Sequence, residues 1–182
     1  MDRAGSAGAR PRVACESTRE VLDDRKIPVA AAGLTTVGRK VLCVCVGNRS
    51  RSPMMQALLQ QQLGEWFVVE SAGIWRKASG APANARSIMV MKERGIDLTP
   101  HIGRWAGEVQ LIDYSHVICV DEEVADSVRA LLPSEASTTV VVANASGGGI
   151  PDPYELGIEG YRTCLALLDK VMPSVALGIK DC

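Results

Sequence analysis

Cys45 and Arg51 bracket the five residues Val46, Gly47, Asn48, Arg49 and Ser50, and Ser52-Pro53 follow at once. A cysteine offers a nucleophilic thiolate, and an arginine offers a planar, bidentate donor suited to phosphate oxygens. The short apolar run Val41–Val44 precedes them, and a helical pattern follows from Pro53 onward, with Ser52 read as its cap and Pro53 as its first position. A strand would then deliver Cys45 to a tight loop that runs into a helix N-terminus. Unpaired backbone N–H groups point outward there and hold a dianion, and the same field favours a thiolate over a thiol. Taken alone, the spacing also fits a buried cysteine at a strand end followed by surface arginines. The strand–loop–helix setting is what favours a site. The loop carries no Gly-Lys-Ser/Thr and the chain no G-x-G-x-x-G, so a nucleotide-binding loop is not indicated.

The elements that must hold this loop alternate along the chain. Strands are expected at Val41–Cys45, Trp66–Glu70, Ser115–Val120 and Thr138–Ala143. Helices are expected at Pro53–Leu63, Ala83–Arg94 closed by Gly95, Glu122–Leu132 ended by Pro133, and Gly157–Val171. This order predicts an α/β fold: one doubly wound domain over residues 40–182, with a four-stranded parallel sheet and helices on both faces. Such sheets bind ligands at the strand C-terminal ends, where Cys45 lies. Residues 1–39 are rich in Gly, Ala and Arg, then charged, then weakly patterned, and read as a flexible or weakly structured N-terminal extension.

The totals narrow the function classes. A net charge of −1 with 47% hydrophobic and 23% charged residues suggests neither a nucleic acid nor an anionic membrane as partner. No apolar stretch approaches a membrane span, and Met1–Arg12 leads into no signal-peptide core. Six cysteines without a paired C-x-x-C pattern fit free thiols in a reducing, cytoplasmic setting. Cys43-x-Cys45 lacks a second ligand pair, and His101 and His116 lie apart, so no metal and no cofactor are expected.

The string strand-C-x-G-N-x-x-R-S-P-helix, followed far downstream by Asp152-Pro153-Tyr154, closely resembles the low-molecular-weight protein tyrosine phosphatase family, a superfamily shared with arsenate reductases. Cys45, Gly47, Asn48, Arg51, Ser52 and Pro53 match its loop, Ser71-Ala72-Gly73 its second-strand exit, and Gly95-Ile96 with His101 the stretch after its second helix. The resemblance implies that Cys45 attacks phosphorus, that Arg51 and loop N–H groups from Val46 to Ser50 bind the phosphate, and that Ser52 donates to the thiolate. It implies Asp152 as general acid and base, Ser71 and His101 as supports of Asn48, and Trp75 and Tyr154 as walls for the substrate. A phosphorylated protein or small phosphomonoester is the implied partner.

Three departures bear on substrate and regulation. Ser50 stands where the family often has a second cysteine. Arg49 replaces the isoleucine of the tyrosine phosphatases and the threonine of the protein-arginine phosphatases. Glu155 follows Tyr154 where the animal enzymes have a second aromatic residue. Arg49, Arg76 and Lys77 are expected to form an electropositive rim. The alternatives are a protein-arginine phosphatase, a thiol-linked arsenate reductase, which would need two further relay cysteines, and an inactive anion-binding module.

Overall fold

The computed structural model describes residues 38–181. The expected extension, Gly38 and Arg39 apart, lies outside the described residues.

A strand in the middle of a parallel sheet is covered on both faces and therefore reads as a continuous apolar run. Two segments have that character: β1 (Arg39–Cys45), buried from Val41 to Cys45, and β3 (His116–Cys119), buried throughout. They are the inner strands. The edges are β2 (Phe67–Gly73) and β4 (Thr139–Val142), which is only partly buried. All pairings are parallel and the order is β2-β1-β3-β4. From β1 the chain passes outward to β2, then returns across the sheet to β3 and β4. The winding reverses at β1, so right-handed crossovers place helix α1 (Arg51–Leu63) and helix α3 (Glu122–Arg129) on opposite faces. The reversal opens a crevice between the C-terminal ends of β1 and β3. Cys45 and Asp121 stand at its edges.

Helix α2 (Ala85–Lys92) is shorter at both ends than its sequence pattern. The Asn84 side chain accepts from the Arg86 N–H at 2.9 Å and starts it, and Gly95, at φ 72°, ends it as expected. Asp121 caps α3 through the Val124 N–H at 2.9 Å. Helix α4 (Gly157–Lys180) runs well past the expected end at Val171 and contains Pro173. A proline inside a helix costs about 3 kcal/mol. The inward stripe runs from Met172 just before it to Ala176 and Ile179 beyond it, all buried, and each large side chain so buried contributes about 1.5–3 kcal/mol. Tertiary burial outweighs the proline, and α4 packs along α1 and α2.

Between β2 and β3 the chain forms short 3-10 turns at Arg76–Ala78, Ala106–Glu108 and Leu111–Asp113. Single bridges Gly73–Trp105 and Pro82–Ile102, with Gly73 N–H donating to Arg104 O at 2.8 Å, draw residues 101–105 up behind the Cys45 loop.

Candidate active site

The loop from Cys45 to Ser50 lies against the exit of β2. Ile74 N–H donates to Cys45 O at 3.0 Å and Trp75 N–H to Val46 O at 2.9 Å. A Cβ at Gly73 would stand 2.7 Å from Val46 O and 2.9 Å from Asn48 N, so only glycine lets the two backbones approach this closely. That contact is a physical reason for a Ser-Ala-Gly exit.

Asn48 closes the loop from behind. Its φ of 49° is left-handed, a conformation asparagine tolerates better than most residues. Its side-chain amide donates to Ser52 Oγ at 3.0 Å and to Ser71 Oγ at 2.9 Å, and its Oδ1 accepts from the Arg104 N–H at 2.9 Å. Its backbone carbonyl is 2.7 Å from His101 Nε2. A carbonyl only accepts, so Nε2 carries the proton. Burial pushes the His101 pKa below its ordinary value; the bond to Asn48 opposes that shift, and the Arg104 charge adds to it. Ser71 passes the chain on by donating to Gln56 Oε1 at 2.6 Å. Arg104 in turn pairs with Glu70 at 3.1 Å, and the Tyr114 hydroxyl donates to Glu70 at 2.5 Å.

On the inner side, the Asn48 N–H donates to Cys45 Sγ at 3.2 Å, and Ser52 Oγ is 3.0 Å from the same sulfur. Ser52 Oγ already accepts from Asn48, so its own proton is directed to the sulfur, with Ala72 O at 3.3 Å the competing acceptor. This revises the local reading of the helix start. α1 begins at Arg51, with Ser50 at the cap position and no side-chain cap bond, and Ser52 serves the thiol instead of the helix.

Arg51 is buried and reaches three residues in two segments. Its Nη2 donates to Asp152 at 2.7 Å; its Nη1 donates to Ile150 O at 3.0 Å and lies 3.5 Å from Asp121. Asp121 was not singled out from sequence; its place directly after a strand and before a helix is the signal that could have found it. Ser50 Oγ meets the fully buried Tyr161 hydroxyl of α4 at 3.2 Å, a contact with no sequence signal.

These groups surround a cavity of about 210 Å³. Cys45, Gly47, Ser50 and Arg51 line it, with Val46, Arg49, Trp75, Asn84, Asp152 and Tyr154 completing the lining. Trp75 and Tyr154 are each 55% exposed. Asn48, expected to bind the phosphate, lies buried behind this lining and holds it, as Ser52, Ser71 and His101 do. The expected cationic rim is only partly assembled. Arg49 lines the cavity, whereas Arg76 lies over the Trp105 ring at 4.9 Å and neither it nor Lys77 lines the cavity. Among the described residues no cluster of three or more His, Cys, Asp or Glu side chains is arranged to hold a metal ion.

An α/β sheet that presents a Cys-x5-Arg oxyanion loop at its switch point defines a narrow class of protein, and one family matches it over nearly all of the described chain. Residues 40–181 match the model of the family described as low molecular weight phosphotyrosine protein phosphatase, and this chain belongs to that family. A protein-arginine-phosphatase of Geobacillus stearothermophilus is 30% identical over 141 residues, 75% of this chain and 93% of that protein. A probable low molecular weight protein-tyrosine-phosphatase, EpsP, of Ralstonia solanacearum is 30% identical over 132 residues, 72% of this chain and 90% of that protein. Among solved structures, Vibrio vulnificus Wzb in complex with benzylphosphonate superposes with a TM-score of 0.69 at 28% identity, covering 77% of this chain and 98% of that one.

Proposed function

We propose that this chain hydrolyses phosphotyrosine, or a closely related protein phosphomonoester, through a phosphocysteine intermediate. The observation that carries the reading is Cys45 Sγ, held by the Asn48 N–H and the Ser52 hydroxyl in a cavity that Arg51 and Asp152 also line. Both donors stabilise sulfur as a thiolate. Sγ attacks phosphorus in line, and the loop N–H groups and the Arg51 guanidinium take the equatorial oxygens. The oxyanion competes with Asp152 for Nη2, which releases the carboxyl group toward the leaving oxygen. Asp152 carries one proton once the ester is bound; it gives that proton to the leaving oxygen as the P–O bond breaks and regains one from the water that breaks the S–P bond. Ser52 stabilises the sulfur as it leaves. The scheme calls on no metal, because Arg51 and the backbone donors meet the developing charge.

Arg49 favours phosphotyrosine over phosphoarginine. Its Nε donates to Pro82 O at 3.0 Å, which fixes its charge in the cavity wall. A phosphoarginine side chain would bring a second guanidinium to that wall, whereas a phosphotyrosine ring is neutral and can lie against Trp75 or Tyr154. The protein-arginine-phosphatase among the relatives makes the arginine substrate the second reading. Arsenate reduction has less support: burial pushes the thiols of Cys119 and Cys164 up to about 12, so neither offers a ready relay thiolate. All four described cysteines are free, which suits a reducing compartment such as the cytoplasm.

The test is a turnover panel of phosphotyrosine, phosphoarginine, phosphoserine and arsenate. Phosphotyrosine should give the highest kcat/KM, Cys45→Ser should abolish turnover while retaining oxyanion binding, and EDTA should have no effect. Higher kcat/KM on phosphoarginine would overturn the substrate assignment, and activity restored by zinc or magnesium after chelation would overturn the mechanism.

A further inference from the structure

Most described arginines are neutralised by carboxylates. Arg51, Arg94, Arg104, Arg129 and Arg162 each have a carboxylate oxygen within ion-pair distance. Arg39, Arg49, Arg76 and Arg86 have none among the described residues; of these, Arg49 lines the cavity and Arg86 is tied to Tyr154, which lines it. Arg49 is anchored at both ends: its Nε on Pro82 O, its carbonyl accepting from the Asn84 N–H at 2.7 Å and from Ser87 Oγ at 3.1 Å. Its two Nη groups make no hydrogen bond within the described structure. Arg86, in the first turn of α2, donates from Nη1 to Tyr154 O at 3.3 Å, so it reaches from α2 to the segment that carries Asp152. Its side chain is exposed, and its remaining donors make no hydrogen bond among the described residues. Asn84 and Tyr154, the residues tied to these two arginines, both line the cavity.

A guanidinium held by one backbone carbonyl has already lost much of its rotamer freedom and keeps two or more donors in a known place. That lowers the entropic cost of a further ion pair. The geometry points to a docking rim for acidic peptide: Arg49 and Arg86 receive carboxylates of residues flanking the phosphorylated residue of a protein substrate. This rests on the phosphatase reading and adds the kind of protein it acts on. Glu155 is the acidic residue next in sequence to Tyr154, and it forms no ion pair with either arginine. It would repel the same peptide weakly and mark the side from which the acidic flank does not enter. The position of Arg86 also couples docking to catalysis, since a carboxylate drawn to it would sit beside the backbone two residues from Asp152.

The experiment compares free phosphotyrosine with two phosphotyrosine peptides of equal length, one flanked by glutamates and one by glutamines, on the whole chain, Arg49→Gln, Arg86→Gln and Arg86→Glu. An exposed charge pair changes binding by up to about fivefold, and two independent pairs by up to about twenty-fivefold, with the middle of that range near tenfold. The glutamate peptide should therefore lead the glutamine peptide by about five- to tenfold in kcat/KM at low salt, chiefly through KM, and the lead should shrink as salt is raised. Each Gln variant should remove a large part of the lead, and Arg86→Glu should reverse it. Each ratio is taken within one variant, so a general effect on the Asp152 segment cancels. Turnover of all three substrates with a ratio near one at low salt would overturn the inference and leave the phosphatase reading standing. A lead that survives unchanged in both Gln variants would also overturn it. No turnover of any substrate would count against the phosphatase reading. Binding of the same peptides to Cys45→Ser, by calorimetry, then decides the rim by the same ratios.

Discussion

Asn48 uses both amide hydrogens, its side-chain oxygen and both backbone groups in keeping the loop in shape. Asn48→Ala would put alanine, which tolerates the left-handed region less well than asparagine, at φ 49° and would orphan buried partners, at roughly 1–3 kcal/mol each. Urea unfolding should show a loss of a few kcal/mol together with a collapse of turnover; a near-neutral variant would mean that the loop holds itself. Asp152 sits in the loop that faces Arg51, so its role is separable by leaving group. Asp152→Asn should slow a poor leaving group by about 10²–10⁴-fold and nitrophenol much less, and equal losses would assign it another role. His101 and His116 add a pH dependence. Burial lowers both pKa values, with the Arg39 charge adding at His116 and the Arg104 charge at His101. The unfolded chain therefore binds protons first, and stability is lost as pH falls below about 6.5 and levels off once the folded-state pKa values are passed. Unfolding midpoints between about pH 7.5 and pH 5 should fall for the natural chain and fall less for His101→Gln; an identical slope would remove His101 from the account.

At the scale of elements, α4 supports a loop that is remote from it in sequence. Tyr161 and Ser50 are separated by 111 positions, and their hydroxyls meet at 3.2 Å just where the loop turns into α1. Tyr161→Phe keeps the ring in the core and removes only this bond. Thermal unfolding should report a loss of about 0.5–1.5 kcal/mol, with a raised KM for phosphate esters as the loop loses its outer tether. An unchanged KM would confine Tyr161 to packing. The periodic pattern gave α4 its inward face and misplaced its end, because propensity alone cannot weigh Pro173 against the burial of Met172 and Ile179. It likewise assigned Ser52 to the helix, since a serine ahead of a proline is a good cap signal and nothing local reveals that a sulfur three ångströms away competes for its hydroxyl.

For the whole molecule, every described group around the cavity lies between Cys45 and Tyr161. We infer that residues 40–182 form the phosphatase domain. A chain begun at Gly38 should keep the kcat/KM of the full chain and unfold at a similar temperature. A large drop in melting temperature would show that the preceding residues contribute to the domain.

What sequence alone determined is what is local. The apolar run, Cys45, the glycine-containing loop, Arg51 and the helix after it fall within about twenty residues, so their order already places a cysteine and an arginine at a helix start suited to an anion. Alternating patterns likewise dictated a parallel α/β sheet. The residue-by-residue reading had no signal for Ser71 or His101 as supports; those came from the family resemblance. Only the tertiary structure decided the partners of Arg51, the hold of Arg104 on Asn48, the meeting of Tyr161 with Ser50 and the reach of Arg86 to Tyr154. Arg51 and Asp152 lie 101 positions apart, and Arg86 and Tyr154 lie 68 apart. Such contacts depend on which strand lies beside which and on the face each crossover takes. Those are choices made by burying the whole core at once, and no local stretch of residues encodes them.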